Sequence, residues 1–195
     1  MSAVTNYWPT PIYRTNINDP LFVSELLPRV IDINRHYHPK FADMYRTDHS
    51  TMQDVFAELY SNKDDLIIRT YDLIDRHVRQ FYKDGFGICD IPVVIKMWGQ
   101  VYYQAEHLPY HNHESILTGV LYLQVPEAEV HFHDPRGNAN RGYPSQFDDI
   151  GFFDTIKVLP VAGDIVIFPS YLFHSVMTNM SRHPRVVVPF DTYVQ

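Results

Sequence analysis

Residues 111–123 read His111-Asn112-His113-Glu114-Ser115-Ile116-Leu117-Thr118-Gly119-Val120-Leu121-Tyr122-Leu123. Two signals meet here. From Leu117 to Val125 the residues are mostly aliphatic, β-branched or aromatic, and Pro126 follows, which predicts a strand. Ahead of it, His111 and His113 have His-x-His spacing. On extended backbone, residues i and i+2 point to one face, so two such imidazoles can converge on one metal ion. Similar short runs recur at 91–98, 129–133, 156–159, 164–168, 173–178 and 185–193, broken by Gly, Pro, Asn and Asp. That rhythm is the signature of a sandwich or barrel. The stretch 134–154 carries Pro, Gly, Asn and acidic residues and reads as a long loop, a candidate lid with Arg136, Arg141 and Tyr143.

The first 90 residues read differently. Asp19 is placed to cap a helix whose first residue is Pro20, and Phe22, Leu26, Val30 and Ile33 follow at helical spacing. Pro28 interrupts that pattern and predicts a kink. Thr51 is a second candidate cap, ahead of Val55, Phe56 and Leu59. A third helical pattern runs Ile67, Tyr71, Ile74, Val78 and Phe81 and stops at Asp84-Gly85-Phe86-Gly87. The fold class read from this is mostly β with N-terminal helices: a helical support region over 1–90 and an antiparallel double-sheet core over 91–195. The amphipathic helices must bury their stripes against one face of a sheet.

Composition bounds the function. A chain of 195 residues fits a single domain with a real core. The lone Cys89 excludes an internal disulfide framework and a Cys-rich zinc site, and fits a reducing, intracellular compartment. The formal net charge of −7, with no basic stripe, disfavours a nucleic-acid partner. No apolar run approaches the ~20 residues needed to span a bilayer, and the first residues lack the pattern of a signal peptide. These features predict a cytoplasmic protein with no membrane partner; a homo-oligomer stays open.

Seven of the 11 histidines, His107, His111, His113, His131, His133, His174 and His183, lie between 107 and 183. Neutral imidazole suits iron, zinc, copper and nickel. A His-x-His pair alone is more often packing than ligation, so a third ligand must come from elsewhere. His174 is the leading candidate, because it follows an apparent strand end and turn at 168–173. Oxygenase sites usually combine two His with one carboxylate; here His113 stands where Asp or Glu would be expected. Glu114 would point to the opposite side of a regular strand. His131 and His133 form a second pair, open as outer-sphere donors or substrate contacts. His36, His38, His49, His77, His107 and His183 carry no such signal.

The ordered set of segments resembles the small 2-oxoglutarate/Fe(II)-dependent oxygenases of bacteria and phages. The resemblance rests on His111–Leu123, on Phe132-His133-Asp134-Pro135-Arg136, on Gly163-Asp164-Ile165-Val166-Ile167-Phe168-Pro169-Ser170-Tyr171-Leu172-Phe173-His174, and on residues 179–191 with Arg185. It covers about 91–193 well and the helical half loosely, with Pro9-Thr10-Pro11-Ile12 similar to the group's opening. It implies a double-stranded β-helix, or jelly-roll, with iron held by His111, His113 and His174. It further implies that Arg185, eleven residues after His174, binds the far carboxylate of 2-oxoglutarate. The chemistry suits a planar guanidinium. Arg182 is the fallback, Tyr122 could donate a hydroxyl to the cosubstrate, and Trp98 and Gln100 could line the pocket. Val187 departs from the pattern, because many members carry Ser or Thr there.

The expected activity is therefore a non-haem Fe(II)- and 2-oxoglutarate-dependent dioxygenase. It would use O2, with ascorbate supportive, and hydroxylate a small-molecule or peptidyl substrate with release of succinate and CO2. Two rivals share the fold: a cupin-like metal-binding protein or isomerase, which has no need of Arg185, and a structural jelly-roll with scattered histidines.

Overall fold

The computed structural model describes residues 10–37, 49–126, 129–136 and 155–194. In chain order the elements are β1 (Tyr13–Asn16), α1 (Pro20–Tyr37), α2 (His49–Ser61), α3 (Asp65–Phe86), β2 (Val93–Met97), β3 (Gln100–Tyr102) and β4 (Leu108–His111). They continue with β5 (Leu117–Gln124), β6 (Val130–Phe132), β7 (Ile156–Val158), β8 (Asp164–Pro169), β9 (His174–Val176) and β10 (Arg185–Val194). The long loop expected over 134–154 falls outside the described residues from 137 to 154, and His38 lies outside them too.

The start of α1 and the end of α3 follow their predicted chemistry. The Phe22 N–H donates to the Asp19 carboxylate at 3.0 Å, so Asp19 satisfies one orphan donor of α1. The helix continues past Pro28 for its full 18 residues. Helix α2 begins at His49, so Thr51 lies inside it instead of capping it. Helix α3 is capped by Asp64, which accepts from the Ile67 N–H, and ends at Gly87. Gly87 has φ 70°, a left-handed conformation glycine adopts at no steric cost, and its N–H reaches the Lys83 carbonyl.

Two antiparallel sheets form the core. The larger has six strands in the order β1-β8-β5-β10-β2, with β3 continuing the β2 edge against β10; the smaller runs β4-β9-β6-β7. This is the jelly-roll expected from the sequence. The large sheet is apolar on both faces, and alternation sorts its residues. Leu121, Leu123, Ile165, Ile167, Val186 and Val188 point to the helices, where they meet Leu26, Val30, Ile74 and Val78. Tyr122, Val166, Phe168 and Val187 point to the small sheet and meet Val130 and Phe132. Each fully buried aliphatic side chain contributes roughly 1.5–3 kcal/mol of apolar burial, so the helical layer is where most stability resides. At Gly119 of β5 a Cβ would overlap the Phe190 ring on its β10 partner, so the position needs glycine.

Three strands were not read from the sequence: β1, β3 and β4. All lie at sheet edges and are short, and β4 contains Pro109. Proline is tolerated at an edge because no neighbour needs its N–H.

Candidate metal and cosubstrate site

The sheets hold a cavity between them. His111, at the end of β4, is the cross-strand partner of His174, at the start of β9, and their ring centroids are 4.2 Å apart. His113 lies beyond β4 in the connection to β5, so the pair does not share one regular strand as predicted. The side chains still alternate, and Glu114 is exposed. His113 is held by its N–H, which donates to the Ser170 carbonyl at 3.0 Å. Its ring lies 5.2 Å from His111 and 5.4 Å from His174, and stacks on Trp98 at 6.3 Å.

One nitrogen from each ring lies within 4.8 Å of the others. The second nitrogen explains how the rings are aimed. His111 Nδ1 is 2.7 Å from the Pro109 carbonyl, His174 Nδ1 is 3.1 Å from the Leu172 carbonyl, and His113 Nδ1 is 3.2 Å from the Asp191 carboxylate. Each acceptor favours a proton on Nδ1 and leaves the Nε2 lone pair free, the arrangement by which outer partners orient metal-binding histidines. Burial, with His111 nearby, pushes the His174 pKa down to about 3, and burial also lowers that of His111. Neutral imidazole is the metal-binding form, so this group fits a transition-metal ion.

Asp191 is a site residue that sequence reading missed. Burial alone would raise its pKa, but hydrogen bonds from His113, Thr118 and Ser115 hold it below the usual carboxylate range. Its signal was present as a single acid inside the apolar run 185–194.

Deeper in the cavity sits Arg185, the first residue of β10, 2% exposed. Its guanidinium carbon is 5.4 Å from the Tyr122 ring centre and 5.9 Å from that of Tyr102. It also hydrogen-bonds the Tyr122 side chain. Burial raises the Tyr122 pKa and pushes that of Tyr102 up to about 12, so both hydroxyls stay protonated. Tyr102 was not anticipated, since nothing distinguishes it among 14 tyrosines. Arg182, the alternative to Arg185, is exposed and outside the lining. Trp98 and Val187 line the cavity; Gln100 is buried but does not. His131 and His133 lie on the other face of the small sheet. His131 contacts Glu129 at 2.7 Å and His133 contacts Ser175 at 3.2 Å, so neither joins the group.

A family model described as "Putative 2OG-Fe(II) oxygenase" matches residues 96–191. The chain is similar to this family over just under half of its length. That match, together with the shared fold below, indicates a non-haem iron- and 2-oxoglutarate-dependent enzyme. Solved structures share its double-stranded β-helix at low identity. The α-ketoglutarate-dependent epimerase SnoN from nogalamycin biosynthesis superposes with a TM-score of 0.63 at 16% identity, over 93% of this chain and 76% of SnoN. A Pseudomonas putida prolyl-4-hydroxylase gives 0.59 at 13% identity, over 94% of this chain and 88% of its own. Iron-bound HygX from Streptomyces hygroscopicus gives 0.52 at 14% identity, over 94% and 82%. No curated protein sequence matches the chain. Among the described residues no helix is long and apolar enough to cross a membrane.

Proposed function

We propose that the enzyme holds Fe(II) through His111, His113 and His174, binds 2-oxoglutarate through Arg185 and Tyr122, and hydroxylates a small-molecule or peptidyl substrate. The observation that carries this reading is the pairing, in one cavity, of three imidazoles with a buried guanidinium. Among the described residues lining that cavity there is no Lys, Asp or Glu. A dicarboxylate entering it finds its fixed positive charge at Arg185. A guanidinium receives a carboxylate through two parallel hydrogen bonds. Tyr122 can accept from Arg185 and donate its own proton to the same carboxylate. Apolar walls at Val120, Val130, Phe168 and Val176 keep water out and strengthen these polar contacts. Trp98, stacked on His113, limits the tilt of that ring.

The chemistry supplied by bound iron and cosubstrate is oxidative decarboxylation with O2, giving succinate, CO2 and an oxidant able to break a substrate C–H bond. Hydroxylation is the outcome that asks for no second reacting group from the protein. The names of SnoN and of the Pseudomonas hydroxylase record different outcomes on this fold, as expected when function resides in the site. The net charge of −7 supports a substrate that is not a polyanion. A cupin-like isomerase would leave Arg185 without a task.

The test is succinate formation from 2-oxoglutarate under air, with Fe(II) and ascorbate as the supportive reductant. Native protein is compared with His174→Ala and Arg185→Ala. Turnover in the native protein and its loss in both variants supports the reading. Folded, iron-loaded native protein that neither turns over nor binds 2-oxoglutarate overturns it.

A further inference from the structure

We propose that Asp191 is the anionic positioning residue of the metal centre, acting through His113 to supply the negative charge that three neutral imidazoles lack. The inference rests on the ligand set proposed above. A carboxylate ligand would bring one negative charge to the ion, and among the described residues the metal-holding group contains three histidines alone. The nearest anion stands one residue further out. Both Asp191 oxygens lie 3.2 Å from His113 Nδ1.

The three histidines are not equivalent. His111 and His174 lean on backbone carbonyls, which are neutral, whereas His113 leans on a carboxylate. A charged acceptor draws more strongly on the Nδ1 proton and makes Nε2 a better donor to a metal. The carboxylate is itself held in place. Thr118 Oγ1 donates to it at 2.7 Å and Ser115 Oγ at 2.9 Å. Ser170 Oγ, fully buried, lies 2.6 Å from Ser115 Oγ and 3.0 Å from Thr118 Oγ1. With the Ser115 and Thr118 protons both directed at Asp191, Ser170 is left to donate to one of those hydroxyls. Three side chains thus fix a carboxylate that would otherwise be costly to bury, and its free lone pairs face His113. The arrangement joins β5, β10 and the residue just after β8 immediately behind one ligand. Thr118, Ser170 and Asp191 are 1%, 0% and 6% exposed, so bulk water does not screen the carboxylate from His113.

The experiment is anaerobic titration with Fe(II) alone, without 2-oxoglutarate. Native protein should bind one ion and His174→Ala should not; equal binding by the two would mean that the ligand set itself is wrong. Asp191→Asn keeps the shape and removes the charge. Its Fe(II) affinity should fall about 10–100-fold, the usual effect of losing an outer-sphere partner. In folded, Zn(II)-loaded Asp191→Asn the His113 Nδ1 proton should move upfield while those of His111 and His174 stay in place, because only His113 leans on that carboxylate. Unchanged Fe(II) affinity in folded Asp191→Asn, or a shift shared by all three rings, overturns the proposal and leaves Asp191 a structural residue. If Asp191→Asn does not fold, imidazole NMR of the native protein loaded with Zn(II) decides. The proposal expects the His113 Nδ1 proton well downfield of those of His111 and His174; three alike resonances, or no proton on His113 Nδ1, would contradict it.

Discussion

The large sheet has two apolar faces with opposite assignments. On the helix side, Leu121, Leu123, Ile165, Ile167, Val186 and Val188 meet α1 and α3 in a layer made almost wholly of hydrocarbon. On the other side, the intervening residues of the same strands share their layer with Arg185, His113 and His174. One strand can therefore serve stability and chemistry at once, because its side chains alternate. The lesson is a separation of costs: the helix layer stabilises the sheet firmly enough for the other face to hold a buried cation, a buried carboxylate and three imidazoles, one buried and two half-buried. Changes on the cavity face should remove function with little effect on stability, and changes on the helix face should do the reverse.

The largest effect is expected from His174→Ala. Metal binding and 2-oxoglutarate turnover should fall below detection while the thermal midpoint stays within a few degrees of native; a collapse of the midpoint would merge the two layers. Arg185→Ala comes next. It truncates one partner of a buried charge pair, which typically costs about 2–5 kcal/mol. The loss should appear in 2-oxoglutarate affinity and leave Fe(II) affinity near native; calorimetry with each ligand separates the two.

Leu26→Ala probes the other layer. Leu26 is fully buried in α1, and its truncation should cost about 2–5 kcal/mol of folding stability. Denaturant unfolding would measure that cost, while metal affinity of the folded fraction should hold. The smallest effect concerns pH. Burial would raise the Asp164 pKa, but bonds from Asn16, the Val161 N–H and Arg14 lower it below the ordinary 3.8. A carboxylate lowered on folding contributes stability that is complete above the unfolded value and lost as pH falls through the folded one. Native protein should weaken on acidification below about pH 4 more steeply than Asp164→Asn, as acid unfolding curves would reveal.

Which parts could be read from sequence follows the same division. The helices at 20–37 and 65–86 announced themselves through Asp19, Gly87 and their apolar spacing. The central strands β5, β8 and β10 were legible because burial on both faces leaves continuous apolar runs. The edge strands β1, β3 and β4 were not, since Tyr-Arg-Thr-Asn and Leu-Pro-Tyr-His become strands only by pairing with a neighbour. In the site, His111 and His113 were visible through spacing and His174 through its turn. Their convergence needed the β4–β9 pairing, which brings positions 63 residues apart side by side. Asp191 stayed hidden because its partners Ser115, Thr118 and His113 are 73–78 residues away, and no local pattern encodes such a contact.

The central claim is that one cavity face holds both the metal and its cosubstrate. Anaerobic equilibrium dialysis of 2-oxoglutarate tests it most directly, using native protein, His174→Ala, Arg185→Ala and Leu26→Ala, each with and without Fe(II). The account predicts tight binding of one 2-oxoglutarate by native protein when Fe(II) is present. That binding should be lost in both cavity variants and retained by the folded fraction of Leu26→Ala. Binding that ignores Fe(II), or that survives Arg185→Ala unchanged, would contradict it.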